Sequence, residues 1–229
     1  MKKLVIIPAR AGSKGIPGKN WKKLLGKPLV QYTIEIALKQ FSKDEICIST
    51  DSIEVIEIAK DLGLKVPFIR PSELANDFVG TQEVLLHALQ YWKQNFFDPD
   101  VIILLQPTSP FRKSIHVTEA LSLYNSSVDM VLGVKPTNAN PYYNLKEEDG
   151  NGFLQPSKSA SFIRRQDCPN VYEVNGAIYI INPNSLSNLS IQSFTKVVKY
   201  VMDNRSSLDI DDEFDWIIAE CIIKNELNL

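Results

Sequence analysis

The residues able to do chemistry gather near the two ends of this chain. The stretch IIPARAGSKGIPGKN (residues 6–20) sets Arg10, Lys14 and Lys19 among Gly12, Gly15 and Gly18, with no acid present. Glycines let backbone N–H groups close on an anion, and the cations offset its charge. Near the other end, SSLDIDDEFDW (206–216) places Asp209 and Asp211 two residues apart. In an extended segment both carboxylates point to one side. A pair of hard oxygen ligands suits Mg²⁺, which takes one or two carboxylates and completes its shell with substrate phosphates. Helix capping is the competing use of these acids. Asp212 and Glu213 are read as helix-start residues, and Asp211 as ligand, N-cap or both. A basic start and an acidic end can thus meet around a polyanion and its metal.

Spacing excludes two familiar phosphate loops. The P-loop needs four residues between Gly and Gly-Lys, then Ser or Thr. Here five residues separate Gly12 from Gly18, and Asn20 stands where the hydroxyl residue belongs. The dinucleotide fingerprint is not matched either. Two further polar stretches follow apolar runs. LLQPTSPFR (104–112) offers an amide at Gln106, the hydroxyls of Thr108 and Ser109, and the Arg112 guanidinium. RPSELANDFVGTQ (70–82) offers Arg70 and Thr81, with Asn76 and Asp77 read as turn formers. His87, among Leu85, Leu86 and Leu89, reads as a packed histidine, and neither it nor His116 pairs with a nucleophile.

These stretches need a scaffold that brings loops together at one edge. Apolar runs alternate with amphipathic ones. LVIIP, EICIST, KVPFI, DVIILLQ and VDMVLGV read as strands, and the segments between them as helices. The helix after Pro28 carries apolar spacing through Leu29, Tyr32, Ile36 and Leu38. The unbroken run in DVIILLQ marks a central parallel strand covered on both faces. Strand and helix in alternation give an α/β fold with a doubly wound, mostly parallel sheet. Ligands of such sheets sit at the carboxyl ends of the strands, where the polar stretches fall. The alternation breaks at residues 136–174, which are rich in Pro, Asn, Gly and Ser but also hold YYNL and ASFIRR. A long structureless loop is improbable here, so this reads as a small inserted subdomain. AIYIIN and KVVKYVM then read as strands and DDEFDWIIAECIIKNEL as a closing helix.

The 229 residues suit one substantial domain, 1–229, and a net charge of −2 argues against nucleic acid as partner. Cys47, Cys168 and Cys221 are odd in number and without metal-ligand spacing, as expected in the reducing cytoplasm. No stretch approaches the roughly 20 apolar residues of a membrane span.

Five stretches together resemble the bacterial CMP-N-acylneuraminate cytidylyltransferases. They are PARAGSKGIPGKN (8–20), RPSELANDF (70–78), LLQPTSPFR (104–112), RRQDCPNVYEVNGAIYI (164–180) and LDIDDEFD (208–215), and their spacing agrees over nearly the whole chain. The resemblance implies a Rossmann-like nucleotidyltransferase whose 136–174 insert makes a homodimer. It implies that Arg10, Ser13, Lys14 and Lys19 hold the triphosphate of CTP, with Asn20 helping to position it. Arg70, the Val79 backbone and Thr81 would read the cytosine and its ribose, Thr81 standing where the family commonly has serine. Gln106, Tyr179 and Phe194 would face a nine-carbon α-keto acid sugar. Arg165 would reach sugar or phosphate, its own or a partner's. Asp209 and Asp211 would carry Mg²⁺. Catalysis would fall to Arg10, Lys19 and Asp211. Legionaminate and pseudaminate enzymes share these motifs. Enzymes for 3-deoxy-manno-octulosonate (KDO) are related but differ in the opening loop. A nucleotide-binding module without turnover is the alternative from another class.

Overall fold

The apolar run after Met1 forms a strand inside a six-stranded sheet in a computed structural model that describes residues 1–227. In chain order the elements are β1 (Lys3–Pro8), the short strands β2 (Lys23–Leu24) and β3 (Lys27–Pro28), α1 (Leu29–Leu38), β4 (Ile46–Ser49), α2 (Ile53–Asp61), α3 (Thr81–Asn95) and β5 (Val101–Leu104). They continue with α4 (Ser114–Ser122), β6 (Met130–Pro136), β7 (Lys146–Glu148), β8 (Leu154–Pro156), β9 (Tyr172–Ile181), α5 (Pro183–Asn188), β10 (Val197–Val201) and α6 (Glu213–Leu227).

The sheet order is β10-β6-β9-β5-β1-β4. β1 runs parallel to β4 and β5, and β10 parallel to β6. β9 is antiparallel to both its neighbours, β5 and β6. The sheet is therefore mostly parallel, as the alternating pattern implies. The run in DVIILLQ has a parallel partner on one side only. KVPFI does not form a strand; a single bridge between Thr50 and Ile69 marks its place.

Alternation along β1 sends Val5 and Ile7 to one face, where α1, α2 and α4 pack, and Leu4 and Ile6 to the other, against α3. The buried face of α1 is Val30, Ile34 and Ala37, whereas Tyr32, Ile36 and Leu38 are only partly buried. Of the residues that the spacing picked out, only Leu29 is fully buried, so the spacing found the helix but only part of its buried face. Ser52 caps α2, its hydroxyl accepting from the Val55 amide at 3.3 Å.

Residues 137–171 connect the adjacent strands β6 and β9 and contain the β7–β8 pair. Pro136 and residues 172–174 belong to the main sheet, so the inserted segment is slightly shorter than its composition suggests. Because β9 runs backwards, its first half pairs with the carboxyl end of β6 and extends past the carboxyl end of β5. That brings residues 174–179 to the same edge as the opening loop.

Candidate active site

The loop after β1 is held from inside. Ile16 is fully buried with Leu24, Leu29, Ile210 and Trp216, a burial worth roughly 1.5–3 kcal/mol. Gly15 lies against the chain's own acidic tail: a Cβ there would stand 2.1 Å from the carbonyl oxygen of Asp211. Its smallness therefore serves loop-to-tail packing, a role the sequence did not suggest. Gly12 has open space beside it. Asn20 donates Nδ2 to the Arg10 carbonyl at 2.9 Å, and the Ala11 amide donates to Asp51 Oδ1 at 2.8 Å. Both bonds fix the loop's curvature.

The two chemical ends do meet. Lys19 is 9% exposed, donates Nζ to the Ile210 carbonyl at 2.6 Å, and stands 3.2 Å from Asp211 Oδ1. Ile210 is buried beneath the segment and donates its amide to the Thr108 carbonyl at 2.9 Å. Its flanking residues, Asp209 and Asp211, lie outside any helix or strand. Asp212, not Asp211, caps α6: its Oδ1 accepts from the Phe214 and Asp215 amides at 2.9 and 3.0 Å. The N-cap reading of Asp211 is therefore replaced, and its carboxylate is left exposed. Asp209 is largely buried. Burial raises its pKa, opposed by a hydrogen bond from the Thr108 hydroxyl and by the charge of Lys19. Its Oδ1 has no hydrogen-bond partner among the described residues.

A cleft of about 270 Å³ opens at this edge. Arg10, Ser13, Lys19, Asn20, Arg70, Val79, Thr81 and Gln106 all line it, joined by Thr108 and Asp77. Arg70 is pinned at the end of β4, its Nε donating to Ser49 Oγ at 3.1 Å. Burial lowers its pKa to about 10, against the supporting charge of Asp51. Thr81 begins α3 and also lines a second cavity of about 260 Å³ with Tyr179, Leu104 and Ile191. The base-facing and sugar-facing candidates thus share a wall.

Other residues are placed elsewhere. Phe194 is 8% exposed in the core against α3 and lines neither cavity. Arg165 donates to Asn138 Oδ1 in the connecting segment, in a separate cavity. Lys14 does not line the cleft but stands 3.3 Å from Asp77 Oδ2. Arg112 and Ser109 are not at the ligand edge. Ser109 is fully buried. Arg112 is 1% exposed and donates to the carbonyls of Ala177 at 2.6 Å and Gln106 at 3.2 Å, and to Thr33 Oγ1 at 2.7 Å. It braces the wall rather than touching a ligand. The histidines stay out as well: His87 packs edge-on to Phe68, and His116 Nδ1 accepts from the Lys113 amide.

Asp77 is the residue whose role the sequence hid. Its Oδ1 accepts from Arg10 at 2.6 Å, so it engages Arg10 and Lys14 together. The hydrogen bond from Arg10 holds its pKa below the ordinary carboxylate value. The absence of acids from residues 6–20 left those cations seeming unpaired, since the compensating charge comes from the neighbouring loop.

The cleft is therefore lined by cations, hydroxyls and an amide, with Asp77 as its one acid among the described residues; Asp211 reaches it only through Lys19, and Asp209 lies behind its wall. The sequence profile described as cytidylyltransferase matches residues 4–223. The chain belongs to the cytidylyltransferase family. It is 34% identical over 230 residues to a CMP-N,N'-diacetyllegionaminic acid synthase of Legionella pneumophila, covering 100% of this chain and 98% of that one. It is 36% identical over 217 residues to an N-acylneuraminate cytidylyltransferase of Escherichia coli, covering 94% of this chain but 51% of the longer relative. Among solved structures, a CMP:2-keto-3-deoxy-manno-octonic acid synthetase complexed with CTP shares the fold, with a TM-score of 0.72 at 18% identity, covering 99% of this chain and 100% of that one. This cytidylyltransferase is accordingly a nucleotidyltransferase, and its cleft lies at the strand ends where such folds hold ligands.

Proposed function

We propose that the protein joins CTP to a nonulosonic acid, an N-acylneuraminate or close relative, giving CMP-sugar and pyrophosphate. The observation that carries this is the single cleft lined by Arg10, Lys19, Asn20, Arg70, Thr81 and Gln106, with Asp211 held beside Lys19. The sugar's 2-hydroxyl oxygen forms a bond to the α-phosphorus of CTP as the bond to pyrophosphate breaks. Arg10, Ser13, Lys14 and Lys19 bind the triphosphate, and Arg10 and Lys19 stabilise charge on the leaving pyrophosphate. Asn20 shapes the loop around it. Arg70, the Val79 backbone and Thr81 face the nucleoside, and Gln106 and Tyr179 the sugar. Positioning and charge compensation carry most of the rate, as in other phosphoryl transfers.

Asp209 and Asp211 are the residues that would hold Mg²⁺. The buried Asp209 oxygen without a partner and the exposed Asp211 carboxylate two residues on fit such a cation. No group of three or more His, Cys, Asp or Glu side chains gathers among the described residues, and two carboxylates suit a metal completed by substrate phosphates. When bound, the metal supplies positive charge to the phosphates and acidity to the attacking hydroxyl.

Two copies are proposed to associate through the 137–171 segment, where Phe153, Leu154 and Ile163 expose 66%, 68% and 89% of their surface. Arg165 and Phe194 would then serve the sugar site only after a partner or a movement brings them near. Cytoplasmic action is proposed because the substrate is CTP and the three cysteines are unpaired. Among the described residues, no helix is long and apolar enough to cross a membrane.

The legionaminic acid synthase is nearly coextensive with this chain, which favours legionaminate as the second reading of the sugar. The decisive test is pyrophosphate release from CTP and UTP with sialic, legionaminic and pseudaminic acids and KDO. Turnover with CTP and one nonulosonic acid is expected. Turnover with KDO alone, or with UTP in preference to CTP, would overturn the reading, and CTP binding without any turnover would favour a pure binding module.

A further inference from the structure

Strand β9 does not pair evenly with β6. The register slips between Leu132 and Val134, so that residues 175–178 of β9 stand opposite Gly133 alone. A Cβ on Gly133 would meet Asn175 Oδ1 at 2.8 Å, so the Asn175 side chain folds back into the space that this glycine leaves. Asn175 is 3% exposed and spends both ends of its amide internally. Its Oδ1 accepts from the Ala177 amide at 3.1 Å, which sets the bulge. Its Nδ2 donates to Ser207 Oγ at 2.9 Å and lies 3.2 Å from the Met202 sulfur. Ser207 is two residues before Asp209 and is itself 2% exposed.

The next residue completes the arrangement. Gly176 has φ +70°, in the left-handed region that favours glycine. A Cβ there would stand 3.1 Å from Asp209 Oδ2 and equally 3.1 Å from Gln106 Oε1. Gly176 thus leaves the space beside which the Asp209 carboxylate sits, and Asn175 anchors the side chain of Ser207 two residues upstream of it. Ser206 adds a second anchor upstream, its amide and hydroxyl donating to Asp203 at 2.9 and 2.8 Å.

We propose that Asn175 is a positioning residue for the cation carboxylate: through its bond to Ser207 it sets where Asp209 lies against Gly176 and Gln106. This rests on the assignment of Asp209 to the divalent cation. Buried carboxylates that bind metals depend on partners outside the coordination shell to hold their orientation, and losing one typically weakens metal affinity about 10- to 100-fold.

The test measures Mn²⁺ binding by electron paramagnetic resonance on the full chain with CTP present. CTP binding in chelator and the thermal midpoint are followed in parallel. Asn175→Ala and Ser207→Ala are each expected to weaken Mn²⁺ binding about 10- to 100-fold, with chelator-phase CTP affinity within about threefold of the parent protein. The double variant should be no worse than the weaker-binding single, since both remove one bond. If Asn175→Ala fails to fold, Ser207→Ala decides alone, because it deletes the same bond and leaves the bulge's internal one. Unchanged Mn²⁺ binding in a folded single variant, or full additivity in the double, overturns the proposal. Asp209→Asn separates the two levels. If it loses Mn²⁺ while Asn175→Ala and Ser207→Ala do not, only the positioning role fails. If it binds Mn²⁺ normally, the metal assignment fails and takes the positioning role with it.

Discussion

Lys19 and Asp211, 192 residues apart in sequence, stand with Nζ and Oδ1 3.2 Å apart. The lysine is buried and also anchored on the Ile210 carbonyl, whereas the aspartate is exposed. A rigid cation thus sits beside an exposed carboxylate, and the basic loop and the acidic segment form one unit.

Lys19→Met should keep the fold's apolar packing and remove this cation. A preorganised charge aimed at a leaving group typically contributes about 10²- to 10³-fold. The expected outcome is a fall of about that size in kcat/KM for CTP, read by pyrophosphate release. Parent-like kcat/KM would take Lys19 out of the triphosphate site.

Asp77→Asn should tighten CTP binding. On the proposed triphosphate site, the ligand would compete with Asp77 for Arg10 and Lys14, and partly exposed pairs of this kind are worth roughly 0–1 kcal/mol. A gain of up to about fivefold in affinity is expected at low salt, shrinking as salt rises. Weaker binding by the variant would show instead that Asp77 orders the loop for its ligand.

Arg112→Met should cost stability rather than a contact with substrate. It removes the guanidinium bond to the Ala177 carbonyl and leaves the Gln106 carbonyl with only the Thr33 hydroxyl. Leaving a buried neutral acceptor without its donor costs about 1–3 kcal/mol, measurable in urea unfolding. Arg112→Lys should not restore it, because an ammonium cannot span the forked set of acceptors. Full stability in Arg112→Lys would show that charge alone suffices.

Asp129 supplies a pH test away from the cleft. It accepts from Ser185 Oγ at 2.7 Å and from the Lys196 and Thr195 amides at 2.9 and 3.1 Å, and these bonds hold its pKa below the ordinary 3.8. A carboxylate depressed in the folded state stabilises above its unfolded value and loses that contribution as pH falls through the folded one. The thermal-midpoint advantage of the parent over Asp129→Asn should therefore be complete at neutral pH and shrink below pH 3.8. An advantage that persists unchanged in strong acid would rule out ionisation as its source.

By itself the sequence determined the alternation of strands and helices, the polar stretches at strand ends and the paired acids. These are local matters of period, turn chemistry and residue type. The cleft lining of Arg10, Ser13, Lys19, Asn20, Arg70, Thr81 and Gln106 follows from the rule that such strands end at one edge. Tertiary structure alone decided the partners. It reversed β9, placed Asp77 against Arg10, sent Arg112 inward, put Asp212 at the cap of α6, and packed Phe194 into the core. All but the Asp212 cap, whose partners Phe214 and Asp215 are near neighbours in the chain, depend on contacts between residues distant in sequence. A side chain's type states what it can bond, but only the packed chain states which acceptor, charge or void lies within about 3 Å of it.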